Sequence, residues 1–187
     1  ILGDWAAVRD ELVRAGGSLR GEELVAALQR TLDEVRREWM AADREDWLAQ
    51  NLAYCGLDEL RRLVREPDRA FVVTTKEGEF ARQILDHWDV RMAGIQGKEA
   101  GVHKCDNLRA LIADSASARG RRPRLWFVED RLETLQHVSR HSDLDDVELF
   151  LAGWGYNTAE ARAAAGSDRR VRLLGLDQFR RGVSTWV

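Results

Sequence analysis

The chain has 187 residues, of which 44% are hydrophobic and 33% charged, with a formal net charge of −3. This composition is typical of one packed domain, or of a domain with a small companion, and it excludes a disordered chain. The small net charge and the lack of a dense Lys/Arg run argue against a dedicated binder of nucleic acid or of anionic membranes.

Apolar runs, signal peptides and cysteines indicate the cellular compartment in which a protein works. No apolar run approaches the length needed to span a bilayer, and no signal peptide is visible. The two cysteines, Cys55 and Cys105, lie far apart and without a partner motif, which disfavours both a disulfide framework and a zinc site. We therefore expect a cytoplasmic protein, and the oligomeric state stays open.

Residues 1–53 show only helical periodicity. A first helix has apolar residues three and four apart, at Trp5, Val8 and Leu12. A longer helix has one apolar face, formed by Leu24, Leu28, Leu32, Val35 and Trp39. Because no strand pattern occurs before Tyr54, the sequence predicts an all-helical module over 1–53.

From residue 54 onward, short apolar runs alternate with helical patterns. This alternation is typical of βαβ units, and it predicts an α/β domain over 54–187 with a mostly parallel sheet covered on both faces. The predicted strands are Ala70–Val73, Met92–Ile95, Leu125–Val128, Val147–Ala152 and Val171–Leu174. Asn157 with Glu160 further predicts a capping box for the helix before the last strand.

Polar residues follow two of these strands directly. Thr74 and Thr75 follow the first, and Glu129 and Asp130 follow the third. Ligands of open α/β sheets bind beyond the carboxyl ends of the strands, and magnesium favours carboxylate oxygen. Helix capping by Thr74 and a turn at Glu129-Asp130 explain the same residues equally well. Lys104, at a predicted helix start, completes an order of hydroxyl, lysine and acid pair.

That order resembles the haloacid dehalogenase (HAD) superfamily of hydrolases. Phe71–Lys76 resembles its second motif, Lys104 its third, and Trp126–Arg131 its acidic fourth. Within the superfamily, the chain resembles cyanobacterial and plastid-type HAD hydrolases, which have a comparable Trp-Gly-Tyr-Asn-Thr, here Trp154–Thr158. The superfamily's first motif, Asp-x-Asp after an opening strand and ahead of the helical cap, is absent. The resemblance therefore implies a Rossmann-like core at 54–187 lacking its first strand, and an incomplete helical C1-type cap at 1–53.

The resemblance implies a magnesium-dependent phosphatase that acts on a small phosphate ester through an aspartyl-phosphate. The nucleophile is expected upstream of residue 1, so residues 1–187 alone are expected to be inactive. Asp130 would hold Mg²⁺, with Glu129 either as a second ligand or as an outer group that orients the site. Lys104 would neutralise charge between nucleophile and phosphate, and Thr74 with Thr75 would bind phosphate oxygens.

Three other interpretations stay open. The first is a catalytically silent module of the same fold that binds a ligand or partner. The second keeps the fold but cleaves a carbon–halogen or phosphonate bond, which the acid pair and the lack of lysine in 1–53 disfavour. The third concerns His137 and His141, whose spacing of four on a predicted helix suits a metal. No third ligand is evident in sequence, so a surface position is the favoured interpretation of that pair.

Overall fold

The computed structural model describes Arg14 and residues 21–54, 56–64, 70–101, 103–120 and 123–186. The predicted helix around Trp5, Val8 and Leu12 lies outside these residues, as does Cys55. The chain forms two compact units, Ile1–Leu52 and Ala53–Val187. Their boundary lies beside the one expected between 53 and 54, while the role of the first unit as a cap stays a prediction.

The described part of the first unit is helical. Helix α1 spans Glu22–Ala42 and α2 spans Arg44–Ala49. Asp43 separates them in an extended conformation, and its side chain caps α2 by accepting a hydrogen bond from the Asp46 N–H. Trp47 and Leu48 are buried. Three residues of the predicted apolar face of α1, Leu28, Leu32 and Val35, are about half exposed, as is the neighbouring Val25.

The second unit alternates strands and helices, so the α/β class predicted from the sequence is confirmed. None of the described helices of either unit is long and apolar enough to cross a bilayer. The elements of the second unit are α3 (Leu57–Leu63), β1 (Phe71–Val73), α4 (Gly78–His87), β2 (Gly94–Gln96), α5 (Lys104–Arg119), β3 (Trp126–Glu129), α6 (Leu132–Ser139), β4 (Glu148–Ala152), α7 (Ala159–Ser167), β5 (Val171–Leu174) and α8 (Leu176–Arg181).

All five described strands are parallel to their neighbours, but they form two sheets. Strand β1 pairs with β2, opposing Phe71 to Gly94, and the second sheet has the order β3-β4-β5. The single sheet suggested by the sequence is therefore not formed by the described residues. No described strand bridges β1 and β3, so one edge of each strand is left without a strand partner.

Side chains of the three-stranded sheet alternate between two cores. Phe127, Leu149 and Leu151 point to one face, where α5, α6 and α7 pack on them through Leu108, Leu135, Val138 and Ala165. Trp126, Val128 and Phe150 belong to the opposite face, where they pack with Leu174, Phe179 and Trp186. The sheet is covered on both faces, as the near-continuous apolar runs predict for parallel strands.

Candidate functional site

An open cleft of about 270 Å³ lies where several loops of the second unit meet. It is lined by Thr75, His103, Lys104, Cys105, Arg131, Glu133, Thr134, His137 and Val138. These residues come from the loops that follow β1 and β3, from the start of α5 and from both ends of α6. The cleft is therefore at the carboxyl ends of the parallel strands, where ligands of α/β proteins bind.

The loop after β1 places two threonines beside this cleft. The Thr74 N–H donates to the Gln96 carbonyl, and the Thr74 hydroxyl accepts from the Lys76 N–H at 3.1 Å. Further along, the Glu99 carboxylate accepts from the Gly78 N–H at 3.0 Å and so caps α4. Thr75 is exposed and lines the cleft, whereas the half-buried Thr74 mainly shapes the turn.

Lys104 and Glu129 form a direct ion pair beside the cleft. Lys104 Nζ lies 2.5 Å from Glu129 Oε2, and the two side chains are 18% and 7% exposed. The other oxygen of Glu129 accepts from the Arg131 N–H at 3.3 Å. Both Glu129 oxygens are thus engaged, so Glu129 suits an outer position beside a cation better than direct coordination.

Asp130, the residue after β3, is hydrogen-bonded to the β4–α7 loop. The Tyr156 N–H donates to Asp130 Oδ2 at 3.1 Å, and Asn157 Nδ2 donates to the Asp130 carbonyl at 3.0 Å. A Cβ on Gly155 would lie 2.3 Å from Asp130 Cβ, so only glycine allows this close approach. Oδ1 of Asp130 has no partner among the described residues, and it is the oxygen that best fits a magnesium ligand.

The sequence prediction for this loop was wrong in one respect. The N-cap of α7 is Thr158, whose hydroxyl accepts from the Ala161 N–H at 3.2 Å, and not Asn157. Asn157 instead binds Asp130 and receives a hydrogen bond from Arg162 at 2.9 Å. Because the Thr158 hydroxyl already accepts from an N–H of the first turn of α7, the Asn157 amide is free to bind the Asp130 carbonyl.

The structure brings together only part of the expected set. Lys104 and Glu129 touch, and Thr75 lines the same cleft as Lys104. Asp130 is the next residue after Glu129, but its carboxylate is bound to the β4–α7 loop, and Thr74 does not line the cleft. The catalytic, phosphate-binding and magnesium roles of these residues therefore stay predictions.

Two basic residues of the cleft were not assigned a role from the sequence. Arg131, the N-cap residue of α6, is exposed, and His103 holds the equivalent position before α5. The sequence signal for both is a basic residue between a strand or loop and a helix start, where an anion is favoured. The positive charges of Lys104 and Arg131 in the cleft suit an anion, and the Glu133 carboxylate opposes one.

Cys105 lines the same cleft and is 2% exposed. Burial raises the pKa of its thiol, an effect that the nearby Arg109 guanidinium partly offsets. The thiol is therefore protonated at neutral pH, which makes Cys105 a poor nucleophile.

Comparison of the chain with protein-family models, with curated proteins and with solved structures found no match in any of the three.

Proposed function

We propose that this chain is the larger part of a HAD-like, magnesium-dependent phosphatase that hydrolyses a small phosphate ester. The observation that supports this proposal most is the cleft at the carboxyl ends of β1 and β3, with Thr75, Lys104 and Arg131 in its lining. A phosphate needs cations and hydroxyl donors, and a nearby carboxylate can hold its magnesium.

The proposed roles follow from the contacts. Thr75 would donate to phosphate oxygens, with Thr74 shaping the turn that presents it. Lys104 would share its charge between Glu129 and the phosphate, so that the nucleophile meets less repulsion. Asp130 would hold Mg²⁺, which neutralises charge that develops on the phosphate oxygens, while Tyr156 and Asn157 keep Asp130 in place.

The nucleophilic aspartate is part of the proposal and not of these 187 residues. Strands β1 and β3 each have an edge without a described partner, and their carboxyl ends meet at the cleft. A parallel strand placed between those edges would join the two sheets into one sheet of six strands. Its carboxyl end would lie beside Lys104. We propose that an upstream segment provides this strand with Asp-x-Asp at its end, the first aspartate attacking phosphorus and the second serving as general acid and base.

The test is a phosphatase screen against a panel of metabolites, with and without Mg²⁺, on the complete gene product. We expect magnesium-dependent turnover that Asp130→Asn abolishes, because the proposed Mg²⁺ ligand is lost. Asp114→Asn, an exposed aspartate of α5, is the matched control and should keep full activity. Retained activity in Asp130→Asn would remove that residue from the site.

Two other outcomes decide between the competing interpretations. Turnover by residues 1–187 alone would refute the proposal that the nucleophile lies upstream of residue 1. No turnover by the complete product on any ester, together with ligand binding at the cleft, would favour the catalytically silent module instead. The cytoplasm as working compartment is part of the same proposal, in keeping with the buried free thiol of Cys105.

A further inference from the structure

Three side chains from separate parts of the sequence meet beside the cleft. Cys105 is in the first turn of α5, His137 is in the last turn of α6, and His141 follows α6. One ligand atom from each, a sulfur and two nitrogens, lies within 4.8 Å of the others. The two imidazole rings are edge-on, with centroids 5.1 Å apart.

The donor set selects a class of metal. Thiolate and imidazole suit Zn²⁺ and similar transition ions, whereas magnesium and calcium prefer oxygen. Metal–sulfur and metal–nitrogen bonds of 2.3 and 2.0–2.1 Å put the donors of a tetrahedral site about 3.5 Å apart. The three donors would close in by about 1 Å, which side-chain rotation can provide, since His137 is exposed and His141 half-buried.

The helices that hold the donors are well anchored. Cys105 packs in the same buried core as Leu135 and Val138 of α6, and α5 and α6 are neighbours. Packing of this kind fixes the backbone at Cys105 and His137, so little order must be gained on binding. The fourth position of a tetrahedral site would be filled by water or by His103 or Glu133, which line the cleft with Cys105 and His137.

Arg109 opposes a cation here but is already neutralised. Its Nη2 lies 3.3 Å from His141 Nδ1, and because Arg only donates, that nitrogen accepts. A metal at Nδ1 of His141 displaces this contact directly. A metal at Nε2 leaves the proton on Nδ1, which then can no longer accept from Arg109. Arg109 keeps short ion pairs to Asp143 at 2.6 Å and Asp106 at 2.8 Å, which hold it and offset its charge.

We propose that Cys105, His137 and His141 form a binding site for Zn²⁺ or a similar transition ion, separate from the magnesium position at Asp130. The ion links the start of α5 to the end of α6. Since Lys104 is the residue before Cys105, the bound ion fixes the helix turn that presents Lys104 to the cleft. The site does not depend on the proposed phosphatase activity.

The experiment is titration of the reduced 187-residue chain with Co²⁺, a spectroscopic substitute for Zn²⁺, in a phosphine reductant that does not bind metals. We expect one equivalent to bind with thiolate-to-cobalt charge-transfer absorption, and Zn²⁺ to abolish that absorption with a Kd on the order of 1 µM or tighter. Excess Mg²⁺ should leave it unchanged, because the donors are sulfur and nitrogen.

Matched variants separate this site from other donors. Cys105→Ser should abolish the charge-transfer band, while Cys55→Ser, the chain's other cysteine, should keep it. His137→Gln and His141→Gln should weaken Zn²⁺ binding at least tenfold, since even outer groups of metal sites have effects of that size. His87→Gln, an exposed histidine of α4, is the control and should bind normally.

Three results would refute the proposed metal site. A band that persists in Cys105→Ser, or unchanged affinity in His137→Gln, would refute the site. Because His137 is exposed, its variant tests the proposal even where Cys105→Ser disturbs the core. No cobalt band in the unaltered protein would also refute it, without touching the phosphatase proposal.

Discussion

The Lys104–Glu129 ion pair gives a prediction that can be worked out from its surroundings. Nζ and Oε2 are 2.5 Å apart, the side chains are 18% and 7% exposed, and the Phe127 ring centre lies 6.0 Å from Nζ. Exposed pairs contribute about 0.2–1 kcal/mol, whereas removing one partner of a buried pair costs about 3–5 kcal/mol. This pair lies between those limits.

We expect Lys104→Met to lower the free energy of unfolding by about 2–3 kcal/mol, because Glu129 is left buried with only the Arg131 N–H as partner. Glu129→Gln should cost less, about 1–2 kcal/mol, because the more exposed ammonium of Lys104 can reach water. The double variant should be about 1–2 kcal/mol more stable than the sum of the two single losses.

The assay is urea unfolding, monitored by tryptophan fluorescence, of the unaltered protein, the two single variants and the double variant. Their four free energies of unfolding form a double-mutant cycle. The control cycle uses Arg62 and Glu59, which are 2.9 Å apart on α3 but 59% and 23% exposed. That cycle should give about 0.3–0.5 kcal/mol. Equal coupling energies in the two cycles would refute the argument that partial burial strengthens the Lys104 pair.

Three other predictions concern the surroundings of the cleft. Gly155→Ala should cost about 1–3 kcal/mol of stability, because the new Cβ would meet Asp130 Cβ at 2.3 Å; an unchanged melting temperature would contradict this close approach. Asn157→Ala should cost about 1–2 kcal/mol by thermal denaturation, since its amide donates to two backbone carbonyls, and a neutral change would show that those bonds are not formed. The hydrogen bond from Arg109 lowers the pKa of Asp143, so this aspartate stabilises the fold above its unfolded pKa and the contribution is lost as pH falls through the lowered value. The melting difference between the unaltered protein and Asp143→Asn should therefore be present at pH 7 and shrink below about pH 4; a difference that grows in acid would reverse the sign of this argument.

Local patterns in the sequence were enough to predict the α/β class and the strands. Val171–Leu174 was located at its observed limits, and the strand ending at Ala152 was displaced by one residue at its start. Met92–Ile95 was less well located, because β2 is only three residues long and includes Gly94. Short apolar runs give a strand's existence more reliably than its limits.

Pairing and side-chain contacts could not be predicted in the same way. Alternation of strands and helices implies parallel pairing, but it does not reveal that β1 and β3 lack a shared neighbour among the described residues. The contact between Lys104 and Glu129 joins a helix start to a strand end, and no spacing rule connects them. The order of the predicted elements placed both residues at one edge of the sheet, and the resemblance to the superfamily's motifs added a shared site, but neither predicted their direct contact.

The cysteine–histidine cluster shows the same limit. The spacing of His137 and His141 gave a metal-compatible pair, but the third donor, Cys105, is on a different helix. A metal site assembled from distant segments has no short sequence signature unless its ligands recur in a known spacing. Packing of α5 on α6 decides whether the donors meet, and packing is a property of the fold.

Binding of inorganic phosphate tests the central claim most directly, because it asks whether the cleft accepts the group that the proposed reaction transfers. Nuclear magnetic resonance of the nitrogen-15-labelled chain, titrated with phosphate in the presence of Mg²⁺, would locate the anion residue by residue. The account predicts saturable shifts of the backbone amides of Thr75, Lys104 and Arg131, with a Kd on the order of 1 mM. Shifts confined to other parts of the chain, or none at these three residues, would contradict it.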